Sequence, residues 1–193
     1  LCSSKETSDN SKLMPSDVAS KHPDLDMAAE AAHQLAALLS KQQMRIVFAE
    51  SCTAGLASAT LAQVPGISQW HCGSAVTYRE TTKTQWLHIP PEDIELYNVV
   101  SREIAAQMAL GVLKITPEAD IAAAITGHLG PEAPAELDGV AFVAIARRTS
   151  GETKSIIQQR FQLQAAERTA RQYEAAVKLL NLVSSVISDS SGN

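Results

Sequence analysis

Ser51 follows directly on a short apolar run, within the sequence RIVFAESCTAG, where a hydroxyl has two ordinary uses. As a nucleophile it would be activated by a neighbouring base, with the N–H groups of a following helix stabilising an oxyanion or holding a phosphate. As a cap it would only satisfy those N–H groups, and Ser51 or Thr53 suits that commoner role. Cys52 is a further candidate nucleophile, because a helix N-terminus lowers a thiol pKa, although most small cysteines are simply buried.

Tyr78, Arg79, Glu80 and Lys83 form a second polar cluster, just after the second predicted strand. A lysine a few residues past the end of a strand can reach back over the edge of the sheet. Removed from water, its amine would act as a general base for Ser51, which gives a serine–lysine arrangement without histidine. The alternative is a solvated lysine on a helix, which is the commoner case.

The sequence TGHLGP, at Thr126–Pro131, follows the third predicted strand. Its threonine and two glycines suit the close approach of a ligand to the backbone, and they equally suit an ordinary turn. His128 can act as an acid or a base near neutral pH, although a lone histidine in a surface loop usually does neither. Because all three polar clusters lie at predicted strand ends, we expect them to meet in one crevice at the edge of a sheet.

Apolar periodicity predicts five strands that first alternate with helices and then end in a hairpin. The predicted strands cover residues 45–49, 72–78, 121–126, 139–147 and 153–163, and the predicted helices cover about 27–43, 53–64, 80–89, 101–115 and 165–187. Pro90-Pro91 is predicted to end the third helix. This order predicts an α/β fold, with one layered domain at residues 27–188 built on a mixed sheet. Residues 1–26 are predicted to be a flexible N-terminal arm, and residues 189–193 a disordered tail.

The composition is that of a soluble globular protein with a net charge of −5. This charge gives no general attraction to nucleic acid or to an anionic membrane, and few aromatic residues are available to stack bases. The three cysteines and five histidines show no metal-ligand spacing, so we expect no metal and no cofactor. No apolar run approaches the roughly 20 residues that span a bilayer, and the polar opening segment lacks the core of a signal peptide. We therefore expect a cytoplasmic protein.

Three stretches together resemble a known family, in their order and in their spacing. They are AESCTAGLASATLAQVPGIS, SAVTYRETTKTQWLHI and AAAITGHLGP, and the resemblance covers about residues 30 to 187. The chain resembles the carboxyl-terminal domain of the competence/damage-inducible CinA family, also known as the nicotinamide-nucleotide amidase family. The resemblance implies a three-layer α/β/α sandwich that often oligomerises. It also implies hydrolysis of the carboxamide of nicotinamide mononucleotide to nicotinate mononucleotide and ammonia, without a metal.

The resemblance also implies a set of site residues. Ser51 matches the presumed nucleophile of the family, and Tyr78 and Lys83 match the tyrosine and lysine of its second motif. We hypothesise that Ser51 attacks the amide while Lys83 or Tyr78 moves the proton. Backbone N–H groups and a threonine hydroxyl would hold the oxyanion or the phosphate. The implied substrate-binding set is Glu50, Cys52, Thr53, Thr126, Gly127, Gly130 and Arg171.

The ligand loops depart from the family pattern. His128-Leu129 stand where the family has a small residue, and the stretch up to Val140 lacks the family's glycine-rich run. The alternative to an amidohydrolase is therefore a catalytically degenerate member that binds a small nucleotide or acts as an interaction protein. A hydrolase that uses Cys52 is a third reading. The expected partners are a small nucleotide substrate and further copies of the chain in a homo-oligomer.

Overall fold

The computed structural model describes residues 23–149 and 152–189, and these fold around one sheet. Its first half contains α1 (Pro23–Gln42), β1 (Ile46–Glu50), α2 (Leu56–Leu61), a single-turn 3-10 helix (Ile67–Gln69) and β2 (His71–Val76). Three helices follow without a strand between them, α3 (Glu80–Leu87), α4 (Pro91–Tyr97) and α5 (Arg102–Ile115). The last elements are β3 (Ile121–His128), β4 (Val140–Thr149), β5 (Glu152–Gln162) and α6 (Arg168–Asp189).

The five strands of the described residues lie in the order β2-β1-β3-β4-β5. β1 is parallel to both β2 and β3, whereas β4 runs antiparallel to β3, and β5 runs antiparallel to β4. The sheet is therefore mixed, as the sequence predicts. The carboxyl ends of β1, β2 and β3 lie together at one edge, and each of them leads into one of the three polar clusters.

Alternate residues of the central strands face two different helical layers. One face carries large side chains, including Phe48, Ile125 and Val143, which pack under α1, α2 and α6. The other face carries mostly alanine, including Ala122 and Ala144, and packs on α5. These small side chains let α5 lie close against the sheet. The result is a three-layer α/β/α sandwich in a single domain, which confirms the predicted fold class.

Two helix boundaries differ from the prediction because proline opens helices as well as ending them. α1 begins at Pro23 rather than Met27, since the missing N–H of proline is no loss in the first turn, and Asp24 and Asp26 favour that helix end. Pro91 likewise opens α4, a helix that the sequence did not predict. The rest of the predicted arm, and residues 190–193 of the predicted tail, lie outside the described residues. Within the described part of the chain, no helix has the length and apolar character needed to cross a membrane.

Candidate active site

Ser51 lies in a turn, and not at the start of a helix. Its N–H donates to the carbonyl oxygen of Ile125 at 3.0 Å, which continues the pairing of β1 with β3 by one residue. Residues 51–55 then form turns, and α2 begins only at Leu56. The residue at the cap position is Gly55, without a side-chain hydrogen bond to the helix. The expectation that Ser51 or Thr53 caps a helix beginning at residue 53 is therefore wrong.

Glu50 satisfies the N-terminus of α2 from the neighbouring strand. Its side chain is fully buried, and its carboxylate accepts hydrogen bonds from the N–H groups of Ala57 at 3.1 Å and Ser58 at 2.9 Å. It also accepts from the hydroxyls of Thr53 at 2.7 Å and Ser74 at 3.1 Å. The side chains of Glu50 and Thr53 therefore face the interior and do not line the cavity described below, so a role in substrate binding is left to the backbone N–H of Thr53.

Lys83 points into the protein and contacts Ser51. Three residues separate the end of β2 from the start of α3, whose Lys83 and Leu87, one turn apart, form its buried face. The Lys83 side chain is fully buried, and its Nζ donates to the Ser51 Oγ at 2.9 Å and to the carbonyl oxygen of Thr77 at 2.7 Å. The reading of Lys83 as a solvated lysine is thus wrong, and the serine–lysine arrangement is present.

Burial makes Lys83 a weaker base than an ordinary lysine, so that more of its amine is neutral near pH 7. It lowers the pKa of Lys83 to about 8, and the negative charge of Glu80 opposes that shift. Burial has the opposite effect on Cys52, whose pKa it raises to about 12, although the N–H groups of Cys52 and Thr53 lower it. A thiol with that pKa stays protonated, so Cys52 is a poor nucleophile here.

Ser51 opens onto a cavity of about 220 Å³ at the carboxyl edge of the sheet. Lys83 lies behind the serine and does not line the wall. A larger cavity, of about 430 Å³, lies between α1 and the 3-10 helix, but the buried serine–lysine pair is remote from its walls, so we assign the chemistry to the smaller one. The smaller cavity is lined by Ser51, Cys52, Tyr78, Val99, Val100, Thr126, Gly127, His128, Leu129, Gly130, Pro131 and Arg168.

The cation at this cavity is Arg168, and not the predicted Arg171. The Arg171 guanidinium is bound by both carboxylate oxygens of Asp138, at 2.8 and 3.1 Å, and it does not line the cavity. Arg168 donates to the carbonyl oxygen of Gly130 and, at 2.8 Å, to the hydroxyl of Tyr78. No carboxylate of the described residues forms a salt bridge with Arg168. Both arginines lie in the first turn of α6, so no local sequence signal distinguishes Arg168 from Arg171.

Thr126, Gly127 and His128 belong to β3, which runs two residues further than predicted. The Thr126 hydroxyl donates to the carbonyl oxygen of Val99 at 3.0 Å, so its proton is already engaged. A Cβ at Gly127 would lie 2.7 Å from the carbonyl oxygen of Val140, so this glycine is required by the pairing of β3 with β4. Both residues line the cavity, and their predicted part in substrate binding stays a prediction. His128 also lines it, which its sequence context alone did not indicate.

The CinA C-terminal domain family model matches residues 28–187. A CinA-like protein of Dictyoglomus thermophilum is 43% identical over 115 residues, which are 60% of this chain and 28% of that protein. A CinA-like protein of Petrotoga mobilis is 40% identical over 106 residues, or 55% of this chain and 26% of its own length. The chain thus spans less than a third of the length of these curated relatives.

Solved structures show the same architecture. The competence/damage inducible protein CihA from Agrobacterium tumefaciens superposes with a TM-score of 0.76 at 26% identity, over 83% of this chain and 95% of that one. A CinA superfamily protein from Klebsiella pneumoniae also gives a TM-score of 0.76, at 24% identity, over 84% of this chain and 98% of that one. Because the Klebsiella pneumoniae protein is only 24% identical to this chain, its similarity shows the fold alone.

Proposed function

The chain belongs to the CinA C-terminal domain family, and from that premise we propose that it is an amidohydrolase of the nicotinamide-nucleotide amidase type. Its substrate would be nicotinamide mononucleotide, and Ser51 would be the nucleophile. The observation that carries the proposal is the fully buried Lys83, whose Nζ lies 2.9 Å from the Ser51 Oγ at the wall of a cavity. A nucleophile within hydrogen-bonding distance of a base with lowered pKa is what covalent amide hydrolysis requires.

The reaction begins with the neutral form of Lys83. Its amine takes the proton of Ser51 as Oγ attacks the carboxamide carbon, and the carbonyl oxygen becomes an oxyanion. The ammonium of Lys83 then donates this proton to the amide nitrogen, the C–N bond breaks, ammonia leaves, and an acyl-enzyme ester remains. Water hydrolyses this ester with Lys83 again as the base, which releases nicotinate mononucleotide and regenerates Ser51. Tyr78 is less suited to this role, because its hydroxyl is bound by Arg168.

Two backbone donors lie beside the nucleophile. Among the described residues, the N–H groups of Cys52 and Thr53 meet the thiol of Cys52 and no oxygen acceptor. Sulfur is a weak hydrogen-bond acceptor, so both N–H groups remain able to donate hydrogen bonds to an oxyanion. These two N–H groups would bind the oxyanion without the Thr126 hydroxyl, which already donates to Val99.

Arg168 suits the phosphate of the nucleotide. Its exposed guanidinium lies on the cavity wall beside Tyr78, and its charge is not neutralised by a carboxylate of the described residues. A guanidinium binds phosphate through paired, charge-assisted hydrogen bonds. The proposed substrate therefore has its amide at Ser51 and its anionic end at Arg168.

Ammonia release from nicotinamide mononucleotide tests the nucleophile and the base. We expect turnover by the wild type and a loss of roughly a thousand-fold or more in Ser51→Ala and in Lys83→Met. Thr60→Val, a buried change in α2 away from the cavity, is the matched control and keeps its activity. Unchanged turnover in Ser51→Ala would overturn the serine mechanism. If the wild type binds the nucleotide in calorimetry but releases no ammonia, the degenerate binding protein is the correct reading.

The phosphate assignment has its own comparison. Arg168→Ala is expected to raise KM for nicotinamide mononucleotide by about 10- to 100-fold, the usual effect of losing a hydrogen bond to a charged group. Hydrolysis of nicotinamide riboside, which lacks the phosphate, should change much less. Arg171→Ala is the control, because the Arg171 guanidinium is already paired with Asp138. Equal effects of Arg168→Ala on both substrates would contradict the assignment.

A further inference from the structure

We propose that Glu50 is a positioning residue of this site, whose buried carboxylate holds the turn after β1 so that the Ser51 Oγ meets the Lys83 Nζ. The catalytic consequence rests on the proposed function. The geometric part does not, because the contact between Ser51 and Lys83 can be followed without any substrate.

Both carboxylate oxygens of Glu50 are fully used. Oε2 accepts from the Thr53 hydroxyl and the Ala57 N–H, and Oε1 accepts from the Ser58 N–H and the Ser74 hydroxyl. These donors belong to the turn, to α2 and to β2. One side chain therefore ties three segments together around the residue that follows it.

A carboxylate suits this arrangement and a glutamine amide does not. Each oxygen receives one backbone N–H, from Ala57 or from Ser58. A glutamine amide has one oxygen and one NH₂ group, so in either orientation its NH₂ would face a backbone N–H. A buried donor left without an acceptor is destabilising, so Glu50→Gln is expected to displace the turn or the start of α2.

The backbone of Glu50 and Ser51 is also hydrogen-bonded to the segments on either side of β1. The Thr77 N–H donates to the carbonyl oxygen of Glu50 at 2.8 Å, and the Ser51 N–H donates to Ile125 at 3.0 Å. The Thr77 carbonyl oxygen in turn accepts from Lys83. Neighbouring strands thus fix the beginning of the turn, and the Glu50 carboxylate fixes residues 53, 57 and 58 beyond it. Ser51 lies between two anchored points, on the opposite side of β1 from the Glu50 carboxylate.

A purely structural Glu50 would stabilise α2 without affecting the contact between Ser51 and Lys83. The pKa of Lys83 distinguishes the positioning role of Glu50 from a purely structural one. It is measured by NMR with carbon-13-labelled lysine in the folded protein. Ser51→Ala removes the hydroxyl partner of Lys83 and sets the reference change in that pKa. We expect Glu50→Gln to change the pKa in the same direction as Ser51→Ala, and Thr60→Val to leave it at the wild-type value.

The double variant Glu50→Gln/Ser51→Ala gives the decisive comparison. If Glu50 acts by positioning Ser51, the Lys83 pKa in the double variant equals that in Ser51→Ala alone, because the contact is already lost. If Glu50→Gln shifts the pKa equally with and without Ser51, its charge acts on Lys83 through space and the proposal is overturned. No shift in Glu50→Gln overturns it as well.

Activity supplies a second readout. Glu50→Gln is expected to lower kcat by about 100-fold with KM nearly unchanged, as a misplacement of about 1 Å at a reacting group does. If the wild type has no amidase activity, the proposed function fails, and the Lys83 titration still decides the role of Glu50. If Glu50→Gln does not fold, Thr53→Val and Ser74→Ala each remove one donor and keep the carboxylate. They should change the Lys83 pKa in the same direction as Ser51→Ala, by less, and an unchanged pKa in both overturns the proposal.

Discussion

Lys83 illustrates how burial fits a lysine for base catalysis. Its Nζ donates to a hydroxyl and to a carbonyl, and no carboxylate of the described residues forms an ion pair with it. Burial therefore lowers its pKa to about 8, whereas a solvated lysine stays protonated and cannot accept a proton. The proposed catalytic pair needs no histidine, because burial in the protein lowers the pKa of the lysine.

The pH dependence of turnover follows from this pKa. Because the neutral amine is the base, kcat/KM should rise about ten-fold per pH unit below pH 8 and level off above it. The exposed Glu80 raises the pKa of Lys83, so Glu80→Gln should move the midpoint to lower pH. A profile that stays flat from pH 6 to pH 9, or one that Glu80→Gln moves to higher pH, would contradict Lys83 as the base.

The helix that carries Lys83 is placed by its packing on α5. A Cβ at Gly111 of α5 would lie 2.5 Å from the carbonyl oxygen of Leu87, at the end of α3. Glycine at this position therefore allows α3 to approach closely enough for Lys83 to reach Ser51.

Gly111→Ala should push α3 outward and weaken the site more than the fold. Overpacking of this kind costs about 1–3 kcal/mol of folding free energy, and displacement of Lys83 should lower kcat by roughly ten-fold or more. Urea unfolding and amidase assays measure the two effects, with the exposed Lys114→Ala in the same helix as the control. A variant with reduced stability but full kcat would show that α3 keeps its position.

The sequence predicts elements well where local pattern and tertiary packing agree. β1 begins with four apolar residues and is buried along its whole length, and Ser101 caps α5 through the Ile104 N–H, as expected. The predicted start of α2 at residue 53 is wrong, because N–H groups of its first turn are satisfied by Glu50 in the preceding strand, and no local pattern shows that contact. Similarly, only the direction of α6 decides that Arg168, and not Arg171, reaches the cavity.

The site motifs could be located from the sequence, but the roles of their members could not. Ser51 and Lys83 are 32 positions apart, and the fold decides whether a lysine after a strand points inward or outward. Thr126 and Gly127 lie at the predicted edge of the sheet. The Thr126 hydroxyl donates to Val99, and Gly127 packs against Val140, so both residues stabilise the fold. Residue type and spacing thus located the candidate site, and the proposed roles of nucleophile, base and support rest on the three-dimensional contacts.

At the scale of the whole molecule, a buried titrating lysine makes global stability depend on pH. In the unfolded chain Lys83 has the ordinary lysine pKa of about 10.4, and in the folded protein about 8. Below pH 8 both states hold the proton, and the cost of burying the charge is fully present. Between pH 8 and about 10.4 only the unfolded state holds it, so stability rises with pH.

Lys83→Met isolates this contribution, because all other titrating groups are common to both proteins. Relative to the variant, the wild type should gain about 3 kcal/mol of unfolding free energy between pH 8 and pH 10.4. Urea unfolding of the two proteins at several pH values measures the difference. A difference that does not vary with pH would mean that Lys83 keeps its ordinary pKa in the folded protein.

The homo-oligomer expected from the family stays a prediction, which sedimentation velocity tests.

The packing of α1 on α6 has a consequence for how the protein is made. Among the described elements, α1 is synthesised first and α6 last. The apolar face of α1, with Leu35 and Leu39, therefore cannot pack against Leu180 and Val183 of α6 until nearly all of this domain has left the ribosome. Such a nascent chain is expected to depend on chaperones. Arg168 arrives on the same last helix, so the serine and lysine are synthesised long before the wall that would hold the nucleotide. A partly synthesised chain should therefore not capture the nucleotide.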